Sequence, residues 1–323
     1  MPLSLFRKLK KRYKVLKNSN QNIFLYNYRK NSKISLLFSY LKKLSEFKEK
    51  LAVHYPLNFL WPLHLARNDV LSCSVVDPGF PKNRKIIYRI FDFIGLIFFA
   101  NKIDVLNPAI FLKLSKYLKL RKKMFLTPNG SFYDKKAPLS TSTKKITLLV
   151  YGRFVKMKGI LEILKNYIAL AKNLEKKTKL NFELVVAGYG PLKKMVQQQV
   201  KIIKDHGFKA KLIIRPDVKK IFRYSYIFLS NQKDSNYPSR ICIESLARGC
   251  PILISCSGDS QAFGRNKPGI YYFKNINDIK KIAKKILFIK NKTFLPYRKK
   301  IQNYANKRFS SSKAVVYYKN ILS

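Results

Sequence analysis

The chain has 323 residues, 47% of them apolar, and its 67 Lys and Arg against 16 Asp and Glu give a formal net charge of +51. That length and apolar content suffice for two cores of ordinary size and exclude a disordered polycation, which lacks the apolar surface needed to fold. Four cysteines with no Cys-x-x-Cys pair, and only three histidines, argue against structural zinc and point to reduced thiols in the cytoplasm.

Residues 1–17 interleave Arg7, Lys8, Lys10, Lys11, Arg12, Lys14 and Lys17 with Leu3, Leu5, Phe6, Leu9 and Leu16, which predicts an interfacial helix on an anionic membrane surface. No long apolar segment follows these charges, so no signal peptide is expected. Strands are predicted over 51–54, ending in His54, and over 70–77, ending in Asp77, with two more in 102–108 and 125–130. The most apolar run, 93–100 (FIGLIFFA), is far shorter than the roughly 20 residues of a spanning helix and is predicted as a core element. Residues 133–145, with Pro138, Ser140, Thr141, Ser142 and Thr143, read as a linker.

Beyond the linker, 146–151 (ITLLVY) is a buried-strand pattern that runs into Gly152, Arg153, Phe154, Val155, Lys156, Met157, Lys158 and Gly159, and then into a periodic helix over 160–173. This is a phosphate-binding arrangement: Gly152 lets backbone approach a ligand, Arg153 can fork onto two phosphate oxygens, and Lys158 offers a point charge near a helix N-terminus. A solvated basic loop is the plainer alternative in so basic a chain. A second strand over 182–187 (FELVVA) ends in Gly188, Tyr189, Gly190 and Pro191 before a helix over 192–206. Two strand-glycine-helix units in succession imply a parallel sheet, whose ligands gather at the carboxyl ends of the strands. A third unit follows. Pro238 and Ser239 suit a helix start, Gly249 a C-cap, and Pro251 precedes the apolar run Ile252, Leu253 and Ile254. Glu244, inside that helix, is placed either to accept hydroxyl hydrogen bonds such as those of a ribose or merely to complement the helix dipole.

The order of GRFVKMKG, AGYGP and the Glu244 segment resembles the donor-binding half of retaining GT-B glycosyltransferases of the family-four type, over roughly residues 145–310. The resemblance implies an α/β fold with two facing Rossmann-like domains, parallel sheets and an interdomain cleft. It gives Arg153 and Lys158 the diphosphate of a nucleotide-sugar, Glu244 the ribose, and Gly152, Gly188 and Gly190 the donor-binding turns. In that family a first glutamate, eight positions before the second, faces the donor sugar; here Asn236 stands there, and Asp234 is the nearest replacement carboxylate. His54 and Asp77 resemble acceptor-side positions, and Arg308, Phe309 and Ser310 resemble the element that starts a C-terminal helix crossing back to the first domain. Expected domains are therefore 1–140, 141–302 and a terminal piece 303–323.

The implied function is transfer of a sugar from a nucleotide-sugar to an acceptor hydroxyl with the anomeric configuration retained, on a surface polysaccharide or lipid-linked glycan. Neither a metal nor a cofactor beyond the donor is expected. The charge has three readings: the codon usage of an AT-rich genome, attraction to an anionic membrane at whose inner face the enzyme would work, or binding of nucleic acid or another polyanion without catalysis. The dispersal of basic residues along the whole chain, with no nucleic-acid-binding motif, argues against the last, and no nucleic-acid partner is expected.

Overall fold

The structure is a computed structural model and describes residues 52–55, 71–76, 94, 97–98, 102–105, 108–128, 145–178, 181–217, 221–222, 227–292 and 295–322. The chain divides into two compact units, 1–74 with 85–101 and 75–84 with 102–323. Strand β1 (Ala52–Tyr55) pairs in parallel with β2 (Leu71–Val76). In the second unit, β3 (Lys102–Val105) pairs in parallel with β4 (Met124–Leu126), with the short helices α1 (Pro108–Leu114) and α2 (Leu118–Arg121) between them. The run 93–100 is not core throughout: Ile94 and Phe98 are exposed. Apolar composition alone does not bury a residue, because folded proteins leave much apolar surface in water.

The rest of the second unit is a six-stranded, wholly parallel sheet. Its strands are β5 (Lys145–Arg153), β6 (Asn181–Tyr189), β7 (Ala210–Ile214), β8 (Ile227–Ser230), β9 (Ile252–Ser255) and β10 (Ile270–Phe273). They lie in the order β10-β9-β8-β5-β6-β7. The chain thus starts in the middle, winds outward through β6 and β7, and returns beside β5 to wind the other way, as doubly wound nucleotide-binding sheets do. Strand β5 forms here because it is apolar on both faces. Leu148 and Val150 pack into one core with Ile163, Leu164 and Tyr167 of α3 (Ile160–Glu175), Val196 and Val200 of α4 (Lys193–Asp205), and Ile286 of α6 (Ile279–Lys292). Leu149 belongs to the opposite core with Phe228, Ile252, Leu246 of α5 (Arg240–Ala247), and Ile301 of α7 (Leu295–Arg308).

The expected strands and helices of the donor half are present with shifted ends. Strand β5 continues through Gly152 and Arg153, because both register with β6, opposite Gly188 and Tyr189. Helix α3 runs two residues past the expected end at 173, to Glu175. The last helix, α8 (Ser311–Leu322), is tied to β3: Tyr317 Oη donates to Asp104 Oδ1 at 2.6 Å, and Thr127 Oγ1 donates to the same carboxylate oxygen.

Candidate functional site

The strand order reverses between β5 and β8, so the loops leaving their carboxyl ends flank a switch point where such sheets bind ligands. After β5 comes a 3-10 turn, Lys156–Lys158, and then Gly159 in the left-handed region at φ 59°. A Cβ on Gly159 would stand 2.0 Å from the carbonyl oxygen of Asn231, so only glycine lets the two loops meet this closely. The backbone N–H of Lys233 donates to Met157 O at 3.0 Å, and Lys233 Nζ pairs with Glu162 at 2.8 Å. Across this seam Lys158 Nζ donates to Gln232 Oε1 at 2.7 Å. Lys158 is half-buried, and burial pushes its pKa down because desolvation disfavours the ammonium.

Arg153 ends β5 with its side chain exposed. At Gly152 an added Cβ would make only ordinary van der Waals contact, no closer than 3.8 Å, so packing within the protein does not demand glycine there. Gly188 differs: at φ 146° its Cβ would stand 1.9 Å from Gly152 O, and this close approach keeps β5 and β6 in register to their ends. Gly190 packs against the backbone of Phe154, whose N–H donates to Tyr189 O at 2.7 Å.

Glu244 is buried on α5. Its Oε1 accepts from Arg240 Nε at 2.9 Å, one helical turn earlier, while Oε2 is buried with no hydrogen-bond partner among the described residues. A buried carboxylate oxygen left unpartnered is costly, and this one keeps the capacity to accept a further hydrogen bond. The Tyr151 phenol feels this carboxylate: burial first, and then the charge of Glu244, raise its pKa.

Asn236, eight residues earlier, is also buried but fully engaged. Its Oδ1 accepts from Ser230 Oγ at 2.7 Å, and its Nδ2 donates to Ser255 O at 3.0 Å and to Ser255 Oγ at 2.9 Å. Asp234, on the same loop, is exposed. The structure therefore gathers Gly152, Arg153, Lys158, Gly188, Gly190, Asp234, Asn236 and Glu244 on the loops and helix at the carboxyl ends of β5, β6 and β8. His54 lies in β1, and Asp77 lies outside the described residues, as do residues 1–17 and 133–144; Lys145, expected to end the linker, instead opens β5. Sequence reading missed Gln232, Arg240 and Tyr151. Arg240 was detectable from its spacing of one helical turn before Glu244, whereas Gln232 reaches Lys158 only through the fold.

Among the described residues no group of three or more His, Cys, Asp or Glu could hold a metal ion, and no helix is long and apolar enough to cross a membrane. Cys242, Cys250 and Cys256 are free thiols.

The pattern of the glycosyl transferases group 1 family matches residues 132–308, more than half of the chain. A comparison with curated protein sequences finds no match. Among solved structures the chain is similar to Anabaena HepE in complex with UDP, with a TM-score of 0.72 at 12% identity over 89% of this chain and 82% of that one. It is also similar to a glycosyltransferase from Rickettsia africae, with a TM-score of 0.69 at 16% identity over 99% and 88%. Staphylococcus aureus TarM, in complex with fondaparinux, alpha-GlcNAc-glycerol and UDP, gives 0.65 at 19% identity over 90% and 59%. These likenesses show the fold, which is the α/β GT-B class expected from the sequence.

Proposed function

Because the chain belongs to the glycosyl transferases group 1 family, we propose that this glycosyltransferase moves a sugar from a uridine diphosphate sugar to an acceptor hydroxyl, with the anomeric configuration retained. The single observation that carries the reading is the buried, unpartnered Oε2 of Glu244 at the mouth of a doubly wound sheet, a ready acceptor for ribose hydroxyls. The HepE complexes with UDP and with UDP-glucose support a uridine nucleotide as the donor. Arg153 and Lys158 bind the diphosphate and stabilise the charge that grows on it as the glycosidic bond breaks, the work a divalent ion does in other transferases. Asp234 is the carboxylate offered to the donor sugar, because the side-chain amide of Asn236 is held among serines. His54 and Asp77 are proposed for the acceptor side. The acceptor is a glycan or lipid-linked glycan at the inner face of a membrane, to which the basic residues 1–17 bind the enzyme; the TarM complex with alpha-GlcNAc-glycerol and UDP supports a hydroxyl-bearing acceptor beside a uridine nucleotide.

The test is calorimetric titration with UDP and a panel of nucleotide-sugars, followed by donor hydrolysis. Binding of one UDP-sugar with slow hydrolysis is expected. Arg153→Ala and Lys158→Ala each lower turnover by on the order of a hundredfold with the fold preserved, and Asp234→Ala lowers turnover more than it lowers UDP affinity. Two single variants at Arg153 and Lys158 with near-wild-type turnover would sink the phosphate assignment.

A further inference from the structure

We infer that Gln232 is a positioning residue for Lys158: its side-chain carbonyl holds the ammonium at the switch point between β5 and β8 as a neutral partner that leaves the positive charge available to a diphosphate. The inference rests on the donor reading of the site and adds to it a residue outside every motif from which that reading grew.

The acceptor is held from both sides. The backbone carbonyl of Gln232 accepts from Ser255 Oγ at 2.8 Å and from Ser257 Oγ at 2.5 Å, both in or just after β9. The next residue, Lys233, is bonded to Met157 O through its N–H and to Glu162 through its ammonium. With its main chain fixed in this way, Gln232 presents Oε1 to Lys158 Nζ at 2.7 Å. An ammonium has three donors, so one bond to Gln232 leaves two for phosphate oxygens.

The chemistry of the partner matters as much as its place. A carboxylate at position 232 would cancel the charge of Lys158 and compete with the diphosphate, whereas an amide orients it without neutralising it. Nor do the thiol that interacts with the ammonium and the carboxylate in the first turn of α3 neutralise it. The Cys242 thiol on α5 is pushed up to about 12 by burial and stays uncharged, and the Glu162 carboxylate is paired with Lys233. Burial lowers the pKa of Lys158, so the site holds a cation that gains when an anion arrives.

The experiment is calorimetric titration of UDP, GDP and ADP into the full chain across a pH series, for the wild type, Gln232→Met and Gln232→Glu, with thermal melting to confirm folding. For the wild type, affinity for the preferred nucleotide is full below the Lys158 pKa and falls as pH rises through it, earlier than for an ordinary lysine. Gln232→Glu is expected to weaken binding by about tenfold or more at neutral pH and to move the falling limb upward, since a neighbouring carboxylate favours the ammonium. Gln232→Met, which keeps the shape and removes the acceptor, is expected to weaken binding about threefold to tenfold and to move the limb downward. Folded Met and Glu variants with wild-type affinity and an unmoved limb overturn the inference while leaving the donor reading intact. A wild-type protein that binds none of the three nucleotides removes the donor reading and the inference with it.

Discussion

Glu244 and Asn236 are two buried polar side chains eight residues apart at the same end of the sheet, and they do opposite things with their polar atoms. Asn236 presents both a donor and an acceptor, and Ser230 and Ser255 meet them. Its backbone N–H donates to Ser260 Oγ at 2.8 Å as well, so this residue fastens the loop after β8 to the loop after β9. Glu244 sits on helix α5, and one of its carboxylate oxygens has no partner among the described residues. Burial alone therefore does not mark a binding residue. Leftover hydrogen-bonding capacity does so only together with place: the Tyr167 hydroxyl is also buried without a partner among the described residues but sits in the core, whereas the Glu244 carboxylate stands at the carboxyl end of the sheet.

The contrast breaks most sharply at Glu244. Glu244→Ala is expected to weaken UDP binding by at least about a hundredfold while shifting the melting temperature little, because it removes an acceptor the folded protein leaves unused. Calorimetric titration beside a melting curve checks both halves, and a large loss of stability with unchanged binding would make Glu244 a structural residue. Asn236→Ala should show the reverse pattern. It strands serine hydroxyls inside the protein and is expected to cost roughly 2–3 kcal/mol of stability in a denaturant titration, with a smaller effect on UDP affinity in the molecules that remain folded. Gly159→Ala should cost about 1–3 kcal/mol, since its Cβ meets a backbone oxygen and its φ is positive. Arg240→Ala comes last: its own side chain is 69% exposed, but its loss leaves Oε1 of the buried Glu244 without a donor, so a cost of about 1 kcal/mol is expected in the same denaturant titration.

Much of the donor-binding half was legible. Strand β5 is visible as an uninterrupted apolar run because both of its faces are buried, and helix α3 is visible because Ile160, Ile163, Leu164, Tyr167, Leu170, Ala171 and Leu174 repeat at helical spacing. The glycine turns announced the sheet edge, and Gly188 is demanded there by a carbonyl oxygen 1.9 Å from where its Cβ would be. Less legible was the run 93–100, where apolar composition suggested core and Ile94 and Phe98 proved exposed, because composition does not tell which residues of a run are packed.

The sequence by itself determined the family, the parallel α/β class and the position of the charged residues along the donor half, since these depend on local periodicity, turn chemistry and motif order. Tertiary structure decided what each polar group is free to do. Whether Asn236 or Asp234 is open to solvent, whether Glu244 keeps an unmet acceptor, and whether Lys158 is held by Gln232 depend on pairings between loops far apart in the chain. A hydrogen bond between residues 74 positions apart leaves no local period and no signature in composition, and only the folded sheet brings its two ends together.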